Sequence, residues 1–320
     1  MPTGSPLARS LPRASHRAEH AAATVLRAGR AGPDLRLRAV YADDQVRVEL
    51  ACSHGAVLSG VWELELRVDG RPLRQRSAWQ EVCRQSDKEV DYLELASRWE
   101  EGVRVERHLM LARKDLCLLA ADAVLGCPPG RLDYRGSLPL AEAVAFQPAA
   151  KTWEGFLVAR RRVAAVIPLA LPEWRAGDGV GSLSAVGCRR GTGSLFRRGA
   201  SPTDSPVAEK RACPPSAARL ELRQAGDGRA LFAPLWLDLC PRRMRCPLTW
   251  RQLTVGERLA AVSRDRAVGY RVRVGSRQWL IYRSLGRTGS RSVLGHNLVS
   301  EFLVARFGRK GQVEAIVEIE

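Results

Sequence analysis

Alternation of apolar and polar residues with a period of two dominates the chain, and it is densest between Asp91 and Gly126 (DYLELASRWEEGVRVERHLMLARKDLCLLAADAVLG). Residues 92–99 set Leu93 and Leu95 on one face and Glu94 on the other. Residues 103–111 set Val103, Val105 and Arg107 against Arg104, Glu106 and His108. Residues 116–124 are nearly all apolar, the pattern of a strand buried on both faces. The breaks Glu100-Glu101-Gly102 and Arg113-Lys114-Asp115 are short polar turns, so the three strands pair antiparallel as a meander.

Strand-like runs recur on both sides of this stretch, at 35–41, 45–52, 62–68, 131–140, 151–157 and 162–171, then at 218–224, 229–239, 248–257, 267–274, 277–283, 297–307 and 313–319. Asp69-Gly70 is the strongest hairpin signal, and Gly275-Ser276 joins 267–274 to 277–283 tightly enough for a second hairpin. Pro168 limits the far half of 162–171 to an edge or a bend. Residues 79–89 are polar and read as a loop. Residues 173–216 carry Gly177-Asp178-Gly179, Gly181, Gly191, Gly193 and the prolines of SPTDSP and CPPS, the content of a long loop. At the start, residues 1–33 read as an arm, disordered at first and then a short helix over 16–28 with Ala21, Val25 and Leu26 on one side.

The fold class is therefore all-β: one large antiparallel β-sandwich over 34–320. It has two lobes, 34–172 and 217–320, joined by the Gly/Pro-rich loop 173–216. A chain of 320 residues has ample core for this.

The formal net charge is +17, carried by arginine, with lysine only at 88, 114, 151, 210 and 310. Arginine excess with scarce lysine is what a GC-rich coding sequence produces. The arginines lie scattered through strands rather than among aromatics, so no nucleic-acid partner is expected. Their planar forks do suit carboxylates and sulfates. Eight cysteines show no CxxC or paired Cys/His spacing, so no metal and no cofactor is expected. Residues 1–30 lack the apolar run of a secretory signal and no run reaches transmembrane length. The expectation is a soluble cytoplasmic protein with no membrane partner, with export left open.

Candidate chemistry is thin. His108 shares a strand face with Arg104 and Glu106, a set that could shuttle a proton on an acidic sugar if that face is exposed. His296 and His54 sit in turns at a sheet rim. Eight tryptophans against five tyrosines and six phenylalanines raise the prospect of sugar stacking. Trp62, Trp236 and Trp279 lie in apolar contexts and belong to the core, whereas Trp79, Trp153 and Trp174 lie beside polar or loop sequence. The ligand-binding candidates are therefore Arg104, Arg107, Trp79, Trp153 and Trp174, and the catalytic candidates His108 and His296. Gly177–Gly181 follows no strand-to-helix context, and no GxSxG, HExxH or P-loop occurs.

The order of residues 91–126 resembles the β-sandwich region of heparinase II/III-like polysaccharide lyases. There an arginine-bearing strand, a short charged turn and an apolar strand ending in Asp and Gly recur. The matching positions are Arg107, Lys114-Asp115, 116–121, Asp122 and Gly126. The resemblance implies a super-sandwich-like fold that in the family packs on a helical toroid. It also implies chemistry that neutralises a uronate carboxylate and abstracts the C5 proton with Tyr or His. No helical stretch here is long enough for a toroid. The expected function is thus binding of acidic, uronate-containing polysaccharide by a chain that is catalytically incomplete alone, complemented by a separately encoded helical-toroid protein. The alternatives are a structural or protein-interaction sandwich without sugar affinity, and a complete lyase acting by β-elimination around His108 or His296.

Overall fold

The computed structural model describes residues 16–18, 23–28, 35–42, 44–175, 181–187, 218–308 and 311–320. These residues form four antiparallel sheets. The first sheet runs β1 (His16–Ala18), β2 (Ala23–Ala28), β3 (Leu35–Val40), β4 (Val46–Cys52), β5 (Gly55–Val68), β11 (Gly130–Pro139), β16 (Arg219–Gly228) and β15 (Gly181–Val186), with β6 (Arg71–Leu73) added on β5. The second runs β12 (Ala145–Pro148), β13 (Gly155–Val158), β14 (Arg162–Pro168), β17 (Leu231–Asp238), β10 (Cys117–Leu125), β9 (Arg104–Ala112), β8 (Val90–Arg98) and β7 (Gln80–Ser86). The third is β18 (Leu248–Leu253), β21 (Ala267–Val274), β22 (Arg277–Ser284), β25 (Phe302–Phe307) and β26 (Val313–Ile319). A small fourth sheet is β20 (Ala260–Ala261), β19 (Gly256–Glu257), β23 (Arg291–Val293) and β24 (His296–Leu298). The strands β16 and β17, which follow 173–216 in the chain, complete the first and second sheets.

The second sheet is the middle layer. Leu93, Leu95, Val105, Leu118 and Ala120 face one core against Val48, Leu66 and Leu138 of the first sheet. Tyr92, Met110, Leu119, Ala121 and Trp236 face another, against Val272, Trp279 and Phe302 of the third. This explains why β10 and β17 are buried at nearly every position and read as continuous apolar runs. The outer face of the third sheet packs Leu280, Tyr282 and Leu303 against Val293 and Leu298 of the fourth. No helix among the described residues is long and apolar enough to cross a membrane.

Three sequence expectations need correction. Residues 16–28 hold strands β1 and β2 rather than a helix. β2 pairs with β3, and Thr24 and Leu26, two apart, are buried as a strand requires. Pairing to a sheet edge overrides the helix propensity of an Ala/Arg-rich stretch. Residues 80–86 form β7 rather than a loop. They are polar because β7 is the outermost strand of its sheet and half-exposed along its length. Within 173–216, residues 181–186 form β15 on β16; 176–180, 188–217 and most of the Gly177–Gly181 cluster lie outside the described residues. The Asp69-Gly70 turn is present with φ of 49° and 78°, both left-handed, which the glycine makes inexpensive. The hairpin at Gly275-Ser276 is present as well.

Charges are buried on both sides of the middle sheet. Facing the first sheet, Arg107 and Asp122 stand opposite each other in the β9–β10 register. Arg107 Nε and Nη2 donate to Asp122 Oδ1 and Oδ2 at 2.8 and 3.1 Å, and Nη1 donates to the Trp62 carbonyl at 2.9 Å. Tyr134 Oη donates to Asp122 Oδ2 at 2.8 Å, and burial with Asp122 beside it pushes that hydroxyl's pKa far up. The guanidinium carbon lies 3.9 Å from the Trp62 ring centre and 4.6 Å from that of Trp79. Facing the third sheet, Asp115 Oδ2 accepts from Trp279 Nε1 at 3.1 Å and from Arg306 Nε and Nη2 at 2.9 and 2.7 Å.

His108 also faces the third sheet, fully buried. Tyr92 Oη donates to Glu94 Oε2 at 2.8 Å, so its contact with His108 Nδ1 at 2.8 Å requires Nδ1 to carry the imidazole proton. Phe302 stacks on the ring at 5.1 Å. Nearby, Arg283 of β22 pairs with Glu106 and, at 2.8 Å, with Glu301. The Arg104, Glu106 and His108 face is therefore covered by the third sheet rather than solvated; only Arg104, at the strand's start, stays exposed.

Two predictions follow from these buried groups. Asp122→Ala strands Arg107 without its counter-charge and costs about 3–5 kcal/mol in urea unfolding. The apolar pair Arg107→Met/Asp122→Leu recovers much of that loss, and no recovery would refute the pairing as the cause. For His108, burial and then Arg283 hold the pKa well below the usual imidazole value. The unfolded chain takes up that proton near about 6.5 while the folded chain refuses it. Stability is thus full above about 6.5 and declines as pH falls below it, by up to about 1.4 kcal/mol per unit. Glu106, raised by burial against the pull of Arg283, binds its proton first in the folded state and opposes the decline at lower pH. Tyr92, Glu94 and Arg283 are the other polar groups facing the ring, and burial with Glu94 beside it holds the Tyr92 hydroxyl's pKa far up. His108→Phe should flatten the stability profile between about pH 6.5 and 5.5; an unchanged slope would assign it to other groups.

Candidate acidic-sugar surface

Strand β14 stops at Pro168, and residues 169–175 leave the sheet to run back beside the connection between β12 and β13. Trp250 Nε1 of the third sheet donates to the Leu171 carbonyl at 2.8 Å and pins the start of this return. Glu173 is then paired with Arg251 of β18. A short antiparallel ribbon follows. Thr152 stands opposite Trp174, Trp153 N donates to Glu173 O at 3.1 Å, and Arg175 N donates to Lys151 O at 2.9 Å. The ribbon is closed by Arg175 Nε on the Thr152 carbonyl at 2.7 Å, with the guanidinium carbon 4.7 Å from the Trp153 ring centre.

The ribbon thus brings together two of the tryptophans singled out from the sequence, 21 positions apart, with Lys151 and Arg175 exposed beside them. Their accessibility differs. Trp153 is half-buried against both cores and capped by Arg175. Trp174 is 54% exposed and is the one large aromatic among the described residues with most of its surface in solvent. Strand alternation sets Trp174 on one face of the ribbon with Thr152, and Lys151, Trp153 and Arg175 on the other, so a polymer with apolar ring faces and carboxylates would meet the indole and the cations on the two faces of one ribbon.

The remaining sequence candidates lie elsewhere. Arg107 and Trp79 are buried in the ion-pair cluster with Asp122 and Trp62. Arg104 is exposed, pairs with Glu106 at 2.8 Å, and lines a shallow groove of about 370 Å³ with Gln80, Val82 and Arg98. His108 is enclosed between the second and third sheets. His296 opens β24 in the small fourth sheet, half-exposed and directly after the Leu294-Gly295 turn. All five tyrosines are buried. Sequence reading missed Lys151, Arg175 and Arg251; the cue was a cation one or two places from Trp153 and Trp174, and one beside Trp250. No group of three or more metal-ligating side chains lies close enough to hold an ion among the described residues.

No protein-family sequence profile matches the chain, and no curated protein matches it in sequence. Solved structures are similar in shape. The heparan sulfate lyase HepC from Pedobacter heparinus superposes with a TM-score of 0.50 at 12% identity, over 87% of this chain and 44% of its own. A heparinase III gene product gives 0.50 at 9% identity, over 86% of this chain and 43% of its own. The chain spans less than half the length of those enzymes, and at such identities the likeness is one of fold. The architecture implied by residues 91–126 is present: this chain shares its all-β sandwich fold with heparinase III structures.

Proposed function

We propose that this chain binds acidic, uronate-containing polysaccharide at the Trp174 ribbon and does not cleave it unaided. The observation that carries this reading is the exposed Trp174 on a ribbon whose other face carries Lys151 and Arg175. One sugar ring of the polymer stacks its C–H face on the indole while the carboxylate of another meets the cations, a division of labour that neither group performs alone. β-Elimination needs a base within reach of the C5 proton. The tyrosines are buried, and the carboxylate nearest Trp174, Glu173, is held by Arg251. A separately encoded helical-toroid protein would supply the base and the second wall of a cleft.

The test is a titration of the purified chain with heparin, heparan sulfate, alginate and a neutral glucan, read by binding and by ultraviolet absorbance. Uronate polymers should bind at physiological salt without new absorbance. Trp174→Ala should weaken them about tenfold, equivalent to about 1.4 kcal/mol. Absence of binding, or an unchanged affinity in Trp174→Ala, would leave a structural or protein-interaction sandwich. New absorbance would instead make the chain a complete lyase and turn attention to His296, the accessible one of the two catalytic candidates.

A further inference from the structure

Far from Trp174, at the other end of β13 and β14, three turns from two sheets enclose a groove of about 620 Å³. The Ser53-His54 turn of the first sheet supplies His54; the turn entering β14 supplies Arg161 and Arg162; the 3₁₀ turn after β17 and the residues beyond it supply Arg242 and Arg245. Strand β14 has seven residues, so about 20 Å separates this groove from the point where the Trp174 return begins.

No carboxylate lines the groove, and none of its four arginines makes an ion pair with a described residue. Their neighbour Arg243 shows the contrast. It turns inward and is neutralised by Asp238, with Nε to Oδ2 at 2.6 Å and Nη2 to Oδ1 at 2.9 Å. Two of the groove arginines are held in place by neutral groups. Arg161 Nη2 lies against the ring nitrogens of His54, at 2.9 Å from Nδ1. Arg162 stacks on Phe156 at 3.8 Å and reaches the Met244 carbonyl at 3.4 Å. A guanidinium can only donate, so the His54 nitrogen that it meets is the acceptor.

Four like charges around one concavity raise its potential and repel one another until an anion enters. We propose that this groove is a binding site for a compact ligand bearing clustered tetrahedral oxyanions, phosphate or sulfate esters. Its volume falls within the range of about 300–1,000 Å³ common for small-molecule sites. No tryptophan, tyrosine or phenylalanine lines it, and its one ring, His54, is taken up by Arg161, so it offers a sugar ring or a base less stacking surface than the Trp174 ribbon. Several guanidinium forks converging on one concavity match a ligand with many oxygens spread in three dimensions better than a single planar carboxylate.

The test is calorimetric titration of the full chain with inorganic triphosphate, sucrose octasulfate and citrate at physiological ionic strength. Triphosphate or octasulfate should bind with one-to-one stoichiometry, and the tighter of the two assigns the ester. Arg242→Glu/Arg245→Glu should weaken that binding at least tenfold with the circular dichroism spectrum unchanged, because neither side chain pairs with a described group. Trp174→Ala should leave it intact. Citrate binding as tightly, an unaltered affinity in the charge-reversed variant, or no saturable binding of either probe would overturn the proposal.

Discussion

Arg107 and Asp122 meet in a layer where neither has solvent to turn to. Both belong to a sheet covered on its two faces, and a charge in such a sheet persists only against an opposite charge with its remaining hydrogen-bonding capacity filled. The bidentate pair, the Trp62 carbonyl, the Tyr134 hydroxyl and the two indole faces together meet that demand. They also join β9 and β10 of the second sheet to β5 and β11 of the first. Removing apolar bulk from a layer costs packing, whereas removing one member of this set leaves an uncompensated ion. The register of β9 on β10 therefore has a penalty for slippage beyond the hydrophobic pattern itself. Asp115, receiving Trp279 and Arg306, plays the corresponding part towards the third sheet.

The same constraint explains how much could be read from the chain. Alternation located β8 and β9, and the continuous apolar run located β10, because burial leaves its mark residue by residue. Alternation does not say what covers a polar face. Arg104, Glu106 and His108 read as solvated, since a strand with charges on one side is the ordinary signature of a sheet with one wet face. Here Arg283 and Phe302, some 170 or more residues later in the chain, close over that face. Edge strands mislead in the opposite direction. β7 is polar because an outermost strand is half in water. Polarity at an edge resembles a loop, and only pairing distinguishes them.

The surfaces assigned to ligands were less legible still, for a geometric reason. The ribbon needs Trp153 and Trp174 to find each other through the return after Pro168, and the groove needs turns near positions 54, 161 and 243 to converge. Spacing in sequence carries no trace of such meetings. A local cue existed in the runs Arg160-Arg161-Arg162 and Arg242-Arg243-Met244-Arg245, which sit at turns, where side chains splay outwards instead of alternating into a core. Arginines scattered along strands face carboxylates across the ladder, as Arg135 does with Glu65 and Glu221. Of the arginines bunched in these two turns, Arg243 pairs with Asp238 and the others make no ion pair with a described residue.

This separation of roles bears on what the likeness to lyases means. Most of the residues that carry it, Arg107, Asp115, 117–121 and Asp122, are buried and hold the three layers in register, whereas Lys114 and Gly126 lie exposed in the turns flanking the apolar strand. A rhythm made of such residues answers the packing of this sandwich, whatever its surface binds. It therefore reports architecture and is silent on catalysis. The rims differ: an exposed indole on a ribbon with two cations lies at one end of β14, and four guanidinium groups that make no ion pair with a described residue, without Trp, Tyr or Phe among them, at the other. The first arrangement suits a ring that stacks and the second a cluster of charge. One ligand class that exploited both would have to span more than about 20 Å, the length of β14 itself.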